Sequence, residues 1–416
     1  MKKLLKVTGM TGLLTLLRMM MGFVIAKVIA IYTGPTGIAM LGQVQSMVTS
    51  LNGIINAPAG SGVIRFTAEK KDAGFDACAP WWRASFQWIL VISAFMIPSG
   101  LLLADNIAVW LFQDSTLRWI VIATICVLPL SAVGTLCNSV INGQQLYRRY
   151  VILGMISTII SSCIMLTMII QYNIEGALLS AAVQSGLIGL VMLVANFNQA
   201  WLKLSYWWGE TDNKARKQIG GYLLMAITTA LTIPVSLILV RSILIDQVGW
   251  DATGQWQAVW KISEVYLTVI TMALGTYYLP RLASLSGVEA IVNEINKTIR
   301  IVVPIVTIMA LGIYILRDVV ITLLFTEDFR NARELFAFQL TGDIIKISSW
   351  LYAYPMISRG ATKWFVSTEI VFSLLFVGFN YLFISYMGLQ GAPLAYLINY
   401  IVYFIFVFSN VKRFSR

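Results

Sequence analysis

The sequence predicts an all-α integral membrane protein, with about twelve transmembrane helices in two six-helix lobes around a central cationic cavity. Three observations carry that prediction. The chain is 58% apolar and 12% charged over 416 residues, with a mean hydropathy of +0.78, whereas soluble domains are nearer half apolar and a quarter charged. Apolar stretches long enough to cross a bilayer recur along its whole length. The charges that fall inside those stretches are mostly cations.

A membrane span needs about 20 apolar residues. Residues 8–32, 37–60, 84–104, 118–141, 151–171, 176–196, 219–245, 254–279, 298–317, 332–358, 364–385 and 392–410 meet that requirement. Turn signals such as Thr33-Gly34-Pro35 and Gln390-Gly391 separate neighbouring spans. The first stretch is too long and too interrupted for a signal-peptide core, so it is expected to stay as a helix despite small residues at Ala26–Ala30. The largest loop, residues 197–218, lies halfway along. It divides the chain into an N-terminal lobe (1–197), a cytoplasmic linker (198–218) and a C-terminal lobe (219–416). An even number of spans per half makes the lobes parallel repeats. That repeat rests on topology and polar pattern, because no identity between the halves is visible.

Loop charges orient the spans. Lys2, Lys3, Lys6, Arg65, Lys70, Lys71, Arg148, Arg149, Lys203, Lys214, Arg216, Lys217, Lys412, Arg413 and Arg416 belong to the roughly 20 cations on one side, while Arg330 and Arg333 stand alone opposite. The positive-inside rule then puts both termini in the cytoplasm. It also accounts for the net charge of +11 without nucleic acid as a partner.

Several chemistries are disfavoured. The chain has no histidine, the commonest metal ligand and general base, so neither a metal nor a catalytic residue is expected. Cys78, Cys126, Cys137 and Cys163 lack metal-binding spacing and read as free packing thiols. No phosphate-binding Gly-x-x-x-x-Gly-Lys loop occurs and no loop is large enough for a nucleotide-binding domain. No cofactor is therefore expected, and any energy coupling must come from an ion or substrate gradient, with H+ or Na+ as the candidate ions.

Seven charges lie inside spans: Arg18, Lys27, Arg241, Lys261, Glu264, Asp343 and Lys346. Each costs about 2.5–3.5 kcal/mol at the centre of a lipid-facing helix. Five of them are cations, so the expected ligand is an anion. In the second span Gln45, Thr49, Asn52 and Asn56 recur at helical spacing, and in the eighth Gln257, Lys261, Glu264, Thr268 and Thr271 do the same. Two such stripes suit a central cavity, and polar packing between helices would give the same spacing. Lys27, Arg241 and Lys261 fall at one depth and suit a phosphate or pyrophosphate head; snorkelling to the interface is the alternative for Lys27 and Arg241. Arg18 is half a turn out of phase with Lys27, so either Gly22 permits a bend or one of the two pairs elsewhere.

Asp343 and Lys346, like Lys261 and Glu264, are three residues apart and can neutralise each other on one helix face. Such a pair is either structural or switchable, with H+ or Na+ on Glu264 or Asp343 freeing the lysine. Trp256 and Trp260 suit sugar stacking or an interfacial belt, and Trp81 and Trp82 read as belt residues.

Beyond these features, the chain resembles the Wzx-type flippases of the polysaccharide-transporter branch, the superfamily that also holds multidrug exporters. The resemblance covers nearly the whole chain and is nearest to lipid III and O-antigen translocases. It is carried by Lys27 ahead of Gly34-Pro35, Trp250-Asp251, Gln255-Trp256-Gln257 and Ser263-Glu264-Val265-Tyr266-Leu267. Tyr278-Leu279-Pro280, Leu316-Arg317-Asp318, the run from Leu335 to Leu340 with Gly342-Asp343 and Lys346, and Ile401-Val402-Tyr403-Phe404 complete it. Lys261 departs from the family pattern, which is uncharged there.

The resemblance implies an undecaprenyl-pyrophosphate-linked oligosaccharide, an O-antigen or enterobacterial common antigen unit, moved outward across the inner membrane of a Gram-negative bacterium. It implies alternating access, membrane lipids as surroundings, and a polymerase and chain-length regulator as pathway partners. The expected substrate contacts are Lys27, Arg18, Arg241, Lys261, Lys346, Gln45, Asn52 and Gln257, with Glu264 and Asp343 for coupling. A multidrug or organic-cation antiporter of the same fold is the alternative, and it calls for a net acidic interior. A polymerase or glycosyltransferase calls for a large outer loop, and an inert scaffold leaves the buried charges without a purpose.

Overall fold

The computed structural model describes residues 2–285 and 287–415. Arg416, counted above among the cytoplasmic cations, lies outside the described residues, as do the side chains of Lys2, Lys3 and Lys6. Thirteen α-helices follow one another, joined by short 3-10 turns and one π turn, with no strand among the described residues.

They are α1 (Lys2–Asn56), α2 (Ser61–Lys70), α3 (Phe75–Leu102), α4 (Ala104–Phe112), α5 (Arg118–Gly143), α6 (Tyr147–Asn196) and α7 (Asn213–Ala273). Then come α8 (Leu279–Ser284), α9 (Val288–Ile315), α10 (Arg317–Leu324), α11 (Phe336–Ser358), α12 (Thr362–Met387) and α13 (Gly391–Phe414).

Three of these are too long for one crossing, and each is broken at one residue. Gly34 (φ 61°) breaks α1, Asn173 (φ 49°) breaks α6 and Gly249 (φ 86°) breaks α7. Positive φ is tolerated by glycine and, less readily, by asparagine, which explains the residue types at the breaks. Pro35 follows the first break, where a fixed φ and a missing N–H suit a helix start. Divided there, the described residues hold twelve helical segments of more than 20 residues, in the order the sequence predicts. No break occurs at Gly22, so α1 carries Arg18 and Lys27 on different faces.

The chain forms two compact units, one of residues up to Tyr32 with Gln43–Val235, the other of Thr33–Gly42 with Ser236–Arg416. In the first, Ile55, Val63, Trp82, Leu128, Val140 and Met192 form a continuous core. Helix α5 meets the second arm of α6 at glycines. A Cβ on Gly189 would lie 2.0 Å from the Leu130 carbonyl oxygen, and one on Gly134 would lie 2.6 Å from the Gly189 Cα. Small residues permit that backbone approach, which in lipid supplies dispersion where the hydrophobic effect is absent.

The segment expected as a linker is packed into this unit. Trp207 stacks on Trp82 at 5.2 Å and donates to the Trp201 carbonyl at 2.9 Å. Arg83 donates to the carbonyls of Ser205 and Glu210. Trp82, expected in an interfacial belt, is 0% exposed and donates to Thr67 Oγ1 at 2.8 Å. Aromatic stacking buries more area here than a belt position would.

The second unit has its own core of Leu274, Tyr278, Ile291, Leu351, Met356 and Val407. A Cβ on Gly254 would collide with the Pro35 carbonyl at 2.0 Å, so the start of the second arm of α1 packs closely against the second arm of α7. Gln255 is 2% exposed; it donates to the Asp328 carbonyl and accepts from Ala332 N–H, fixing the 3-10 segment Glu327–Leu335.

Internal identity between the halves emerges once the elements are aligned. Leu103, Asp105, Leu111 and Phe112 of the α3–α4 joint recur as Leu316, Asp318, Leu324 and Phe325 of the α9–α10 joint. The residue before each short helix has nearly the same backbone, φ −94° and ψ 6° for Leu103 against −92° and 10° for Leu316. Leu103 N–H bonds the Ser99 carbonyl and Leu316 N–H the Gly312 carbonyl, both at 3.0 Å. Each aspartate lies in the first turn, where the helix dipole favours an anion. Arg118 pairs with Asp105 at 3.4 Å, so it sits on that aspartate's side and joins Arg330 and Arg333 in the loop tally.

Candidate functional site

Helix α11 brings the polar groups of the second unit together. Asp343 is 0% exposed, and its two oxygens accept from Tyr266 and Tyr396 hydroxyls, each at 2.8 Å. Tyr266 comes from α7 and Tyr396 from α13, so the carboxylate ties three helices. One turn on, the Lys346 ammonium lies over the rings of Trp350, Tyr400, Tyr396 and Trp260 at 5.0, 5.4, 5.5 and 5.8 Å. Glu264, exposed on the second arm of α7, accepts from Trp260 Nε1 at 2.9 Å.

Neither of the two pairs expected from i,i+3 spacing is in direct contact, although each acid still acts electrostatically on its lysine. Among the described residues, no salt bridge joins Asp343 to Lys346 or Glu264 to Lys261. The Asp343 oxygens are engaged by tyrosines, and the lysine stem directs its ammonium onto π faces. Each acid is linked to Lys346 through an aromatic residue, Asp343 through Tyr396 and Glu264 through Trp260.

Arg241 is a second buried cation of this unit. It is 2% exposed, its Nε donates to Gln257 Oε1 at 2.7 Å, and its guanidinium lies 5.9 Å from the Trp256 ring. Burial to this degree removes the snorkelling alternative for Arg241. Gly42 makes room for the pair, because a Cβ there would lie 2.8 Å from Arg241 Nε and 2.9 Å from Gln257 Oε1. Trp256 and Trp260 are 1% and 7% exposed and are core residues rather than belt residues. Lys261 is half-buried one residue past Trp260.

In the first unit Lys27 is half-buried on the first arm of α1, and Arg18 is exposed, near Gly154 of α6. Gln45 and Asn52 are half-buried on the second arm of α1. The stripe they belong to serves packing in part. Asn56 donates to Ser131 Oγ of α5 at 3.3 Å, and Thr49 bonds back to the Gln45 carbonyl. Asn52 Oδ1 and both amide atoms of the fully buried Gln43 have no hydrogen-bond partner in the protein.

Pattern reading passed over several polar groups of the second unit. Tyr396 and Tyr400 are one helical turn apart in the last span, the spacing that singled out Trp256 and Trp260. Glu369, inside α12, is an intramembrane acid by the criterion applied to the other seven charges, and it acts electrostatically on Tyr400 and Tyr403. Gln339, one turn before Asp343, is 1% exposed with neither amide atom bonded in the protein. A small open pocket of about 120 Å³ lies elsewhere, lined by Asp318, Ile321, Thr322, Glu327 and Arg330.

No protein-family model matches the chain. It is 29% identical over 405 residues to the lipid III flippases of Escherichia coli (strain K12) and Shigella flexneri, covering 96% of this chain and 96% of each relative. Among solved structures, an inward-facing multidrug resistance MATE family transporter of the MOP superfamily superposes with a TM-score of 0.75 over 95% of both chains, at 15% identity. At that identity the likeness establishes the fold. The resemblance read from the motifs is borne out: the chain is an all-α, multi-pass membrane protein with the MOP-superfamily fold, similar along nearly its whole length to lipid III flippases.

Proposed function

We propose that this chain is a flippase that carries an undecaprenyl-pyrophosphate-linked oligosaccharide from the cytoplasmic to the periplasmic leaflet of a Gram-negative inner membrane. It works by alternating access, with H+ or Na+ as the coupling ion and both termini in the cytoplasm. It breaks no covalent bond and is not an enzyme. The observation that carries this reading is the 29% identity to lipid III flippases over 96% of the chain, combined with the excess of cations within the apolar spans. Lys27, Arg18, Arg241, Lys261 and Lys346 would meet the anionic head, helped by Gln45, Asn52 and Gln257. Glu264 and Asp343 would couple the movement to the ion. A polymerase and a chain-length regulator would take the product on.

An organic-cation antiporter shares the fold. It calls for a net acidic interior, whereas the charges more than two residues inside a span are five cations against three acids once Glu369 is included. Complementation tests the flippase reading. A strain lacking this chain should accumulate the lipid-linked oligosaccharide and lose surface glycan, and the wild-type chain should restore display. Lys27→Ala and Lys346→Ala should each abolish that rescue at normal protein level. Full display from both variants would remove these lysines from the substrate path, and full display without the chain would refute the function.

A further inference from the structure

Four aromatic rings from three helices of the second unit enclose one ammonium group. Helix α11 supplies Lys346 and Trp350, α7 supplies Trp260, and α13 supplies Tyr396 and Tyr400. All four centroids lie within the roughly 6 Å over which a ring face attracts a cation. The rings brace one another: Trp260 meets Tyr396 edge-on at 5.3 Å, Tyr396 meets Tyr400 at 4.8 Å, and Phe376 backs Trp260 at 6.2 Å. The walls are therefore held without the lysine.

The acids stand behind the walls rather than against the ammonium. Asp343 holds Tyr396 by its hydroxyl and Glu264 holds Trp260 by its indole N–H. Glu369 of α12 acts on Tyr400, and Lys261 is the nearest cation in sequence to the α7 wall. π faces on several sides with carboxylates one layer out are the composition of a site for a small organic cation. Its occupant here is the chain's own side chain.

We infer that Lys346 is a tethered occupant of an aromatic cation box, and that it thereby sets the sign of ligand this unit accepts. With the lysine in place, a free quaternary ammonium is excluded by volume and by like charge. With the side chain cut back, the box takes a small quaternary ammonium. An anion acts in the opposite sense, drawing the ammonium off the rings. This inference does not depend on which lipid is moved, and it identifies one residue separating an anion-binding from a cation-binding version of the same helices.

The test uses the full-length protein in lipid nanodiscs, titrated with tetramethylammonium chloride at constant ionic strength. Binding is followed by tryptophan fluorescence and calorimetry. Lys346→Ala should bind saturably, about tenfold or more tighter than wild type or Lys346→Arg. Adding Tyr400→Ala to Lys346→Ala should abolish that binding. A folded Lys346→Ala protein without saturable binding, or a wild type that binds equally tightly, overturns the inference.

A measurement on the wild type needs no opened box. After reductive 13C-methylation, the Lys346 resonance, assigned by its loss in Lys346→Arg, should lie upfield of the other lysines under the ring currents. A position among the solvent-exposed lysines overturns the inference. If Lys346→Ala loses glycan display yet binds no tetramethylammonium, the flippase reading stands and the box falls. Binding with full display leaves the box standing and removes Lys346 from the substrate path.

Discussion

Replacing Gln257 with Leu probes how a permanently charged group is held inside this protein. Arg241 is 2% exposed and donates to Gln257 Oε1 at 2.7 Å. A guanidinium stays charged in any protein setting, so removing the acceptor leaves a buried cation under-satisfied. A neutral interhelical hydrogen bond in a membrane protein averages only about 0.6 kcal/mol. A bond to a charged group contributes about 1.5–3 kcal/mol. The charge decides which figure applies, and Gln257→Leu should destabilise by about 2–3 kcal/mol.

Arg241→Met removes the charge itself, so the double variant no longer contains a buried cation that has lost an acceptor. It should be more stable than the sum of the single effects by about 2 kcal/mol. Gln257→Glu keeps an acceptor and adds a counter-charge, and it should retain wild-type stability or exceed it. The assay is reversible unfolding in mixed micelles by sodium dodecyl sulfate titration, read by tryptophan fluorescence. Additivity of the two single variants within about 0.5 kcal/mol would refute the coupling.

Three further outcomes are expected. Gly189→Val should place methyl groups where even a Cβ lies 2.0 Å from the Leu130 carbonyl, and the protein should fail to accumulate in the membrane. Normal levels on immunoblot would contradict the close α5–α6 approach. Tyr266→Phe and Tyr396→Phe each remove one 2.8 Å donor from the buried Asp343 and should each cost about 1–3 kcal/mol, checked by the same titration, and an unchanged midpoint for both would show that the carboxylate is satisfied otherwise. Trp207→Ala deletes the ring stacked on Trp82, a loss of about 3–5 kcal/mol for a large buried aromatic. It should open residues 198–212 to trypsin at Lys203, and an unchanged digestion pattern would contradict the packed-loop description.

The number and order of crossings were legible because lipid offers no hydrogen-bonding partner for backbone. Only helices long enough to span satisfy that demand, and apolar length is visible in one dimension. The hairpin breaks were partly legible: Gly34-Pro35 announces one, whereas Asn173 and Gly249 carry no flanking proline. The repeat around Leu103–Asp105 and Leu316–Asp318 escaped notice because four identities scattered over ten positions gain meaning only once the two helix joints are known to share a conformation. Trp82 and Trp256 were misread for a similar reason. A tryptophan near the end of an apolar run suits an interface and a core equally, and burial distinguishes them only after the neighbours are placed.

By itself the sequence determined that this chain lives in a membrane, crosses it about twelve times and keeps an excess of cations inside its spans, since each of these follows from composition and local spacing. Its motifs also pointed to the flippases it matches along its length. Tertiary structure decided what each charge touches. Asp343 and Lys346 lie three residues apart, and helix geometry allows them to pair. The fold instead brings Tyr266 and Tyr396 to the carboxylate and four rings to the ammonium. Those partners come from residues up to 86 positions away (Lys346 and Trp260), a distance over which spacing in sequence carries no information about contact.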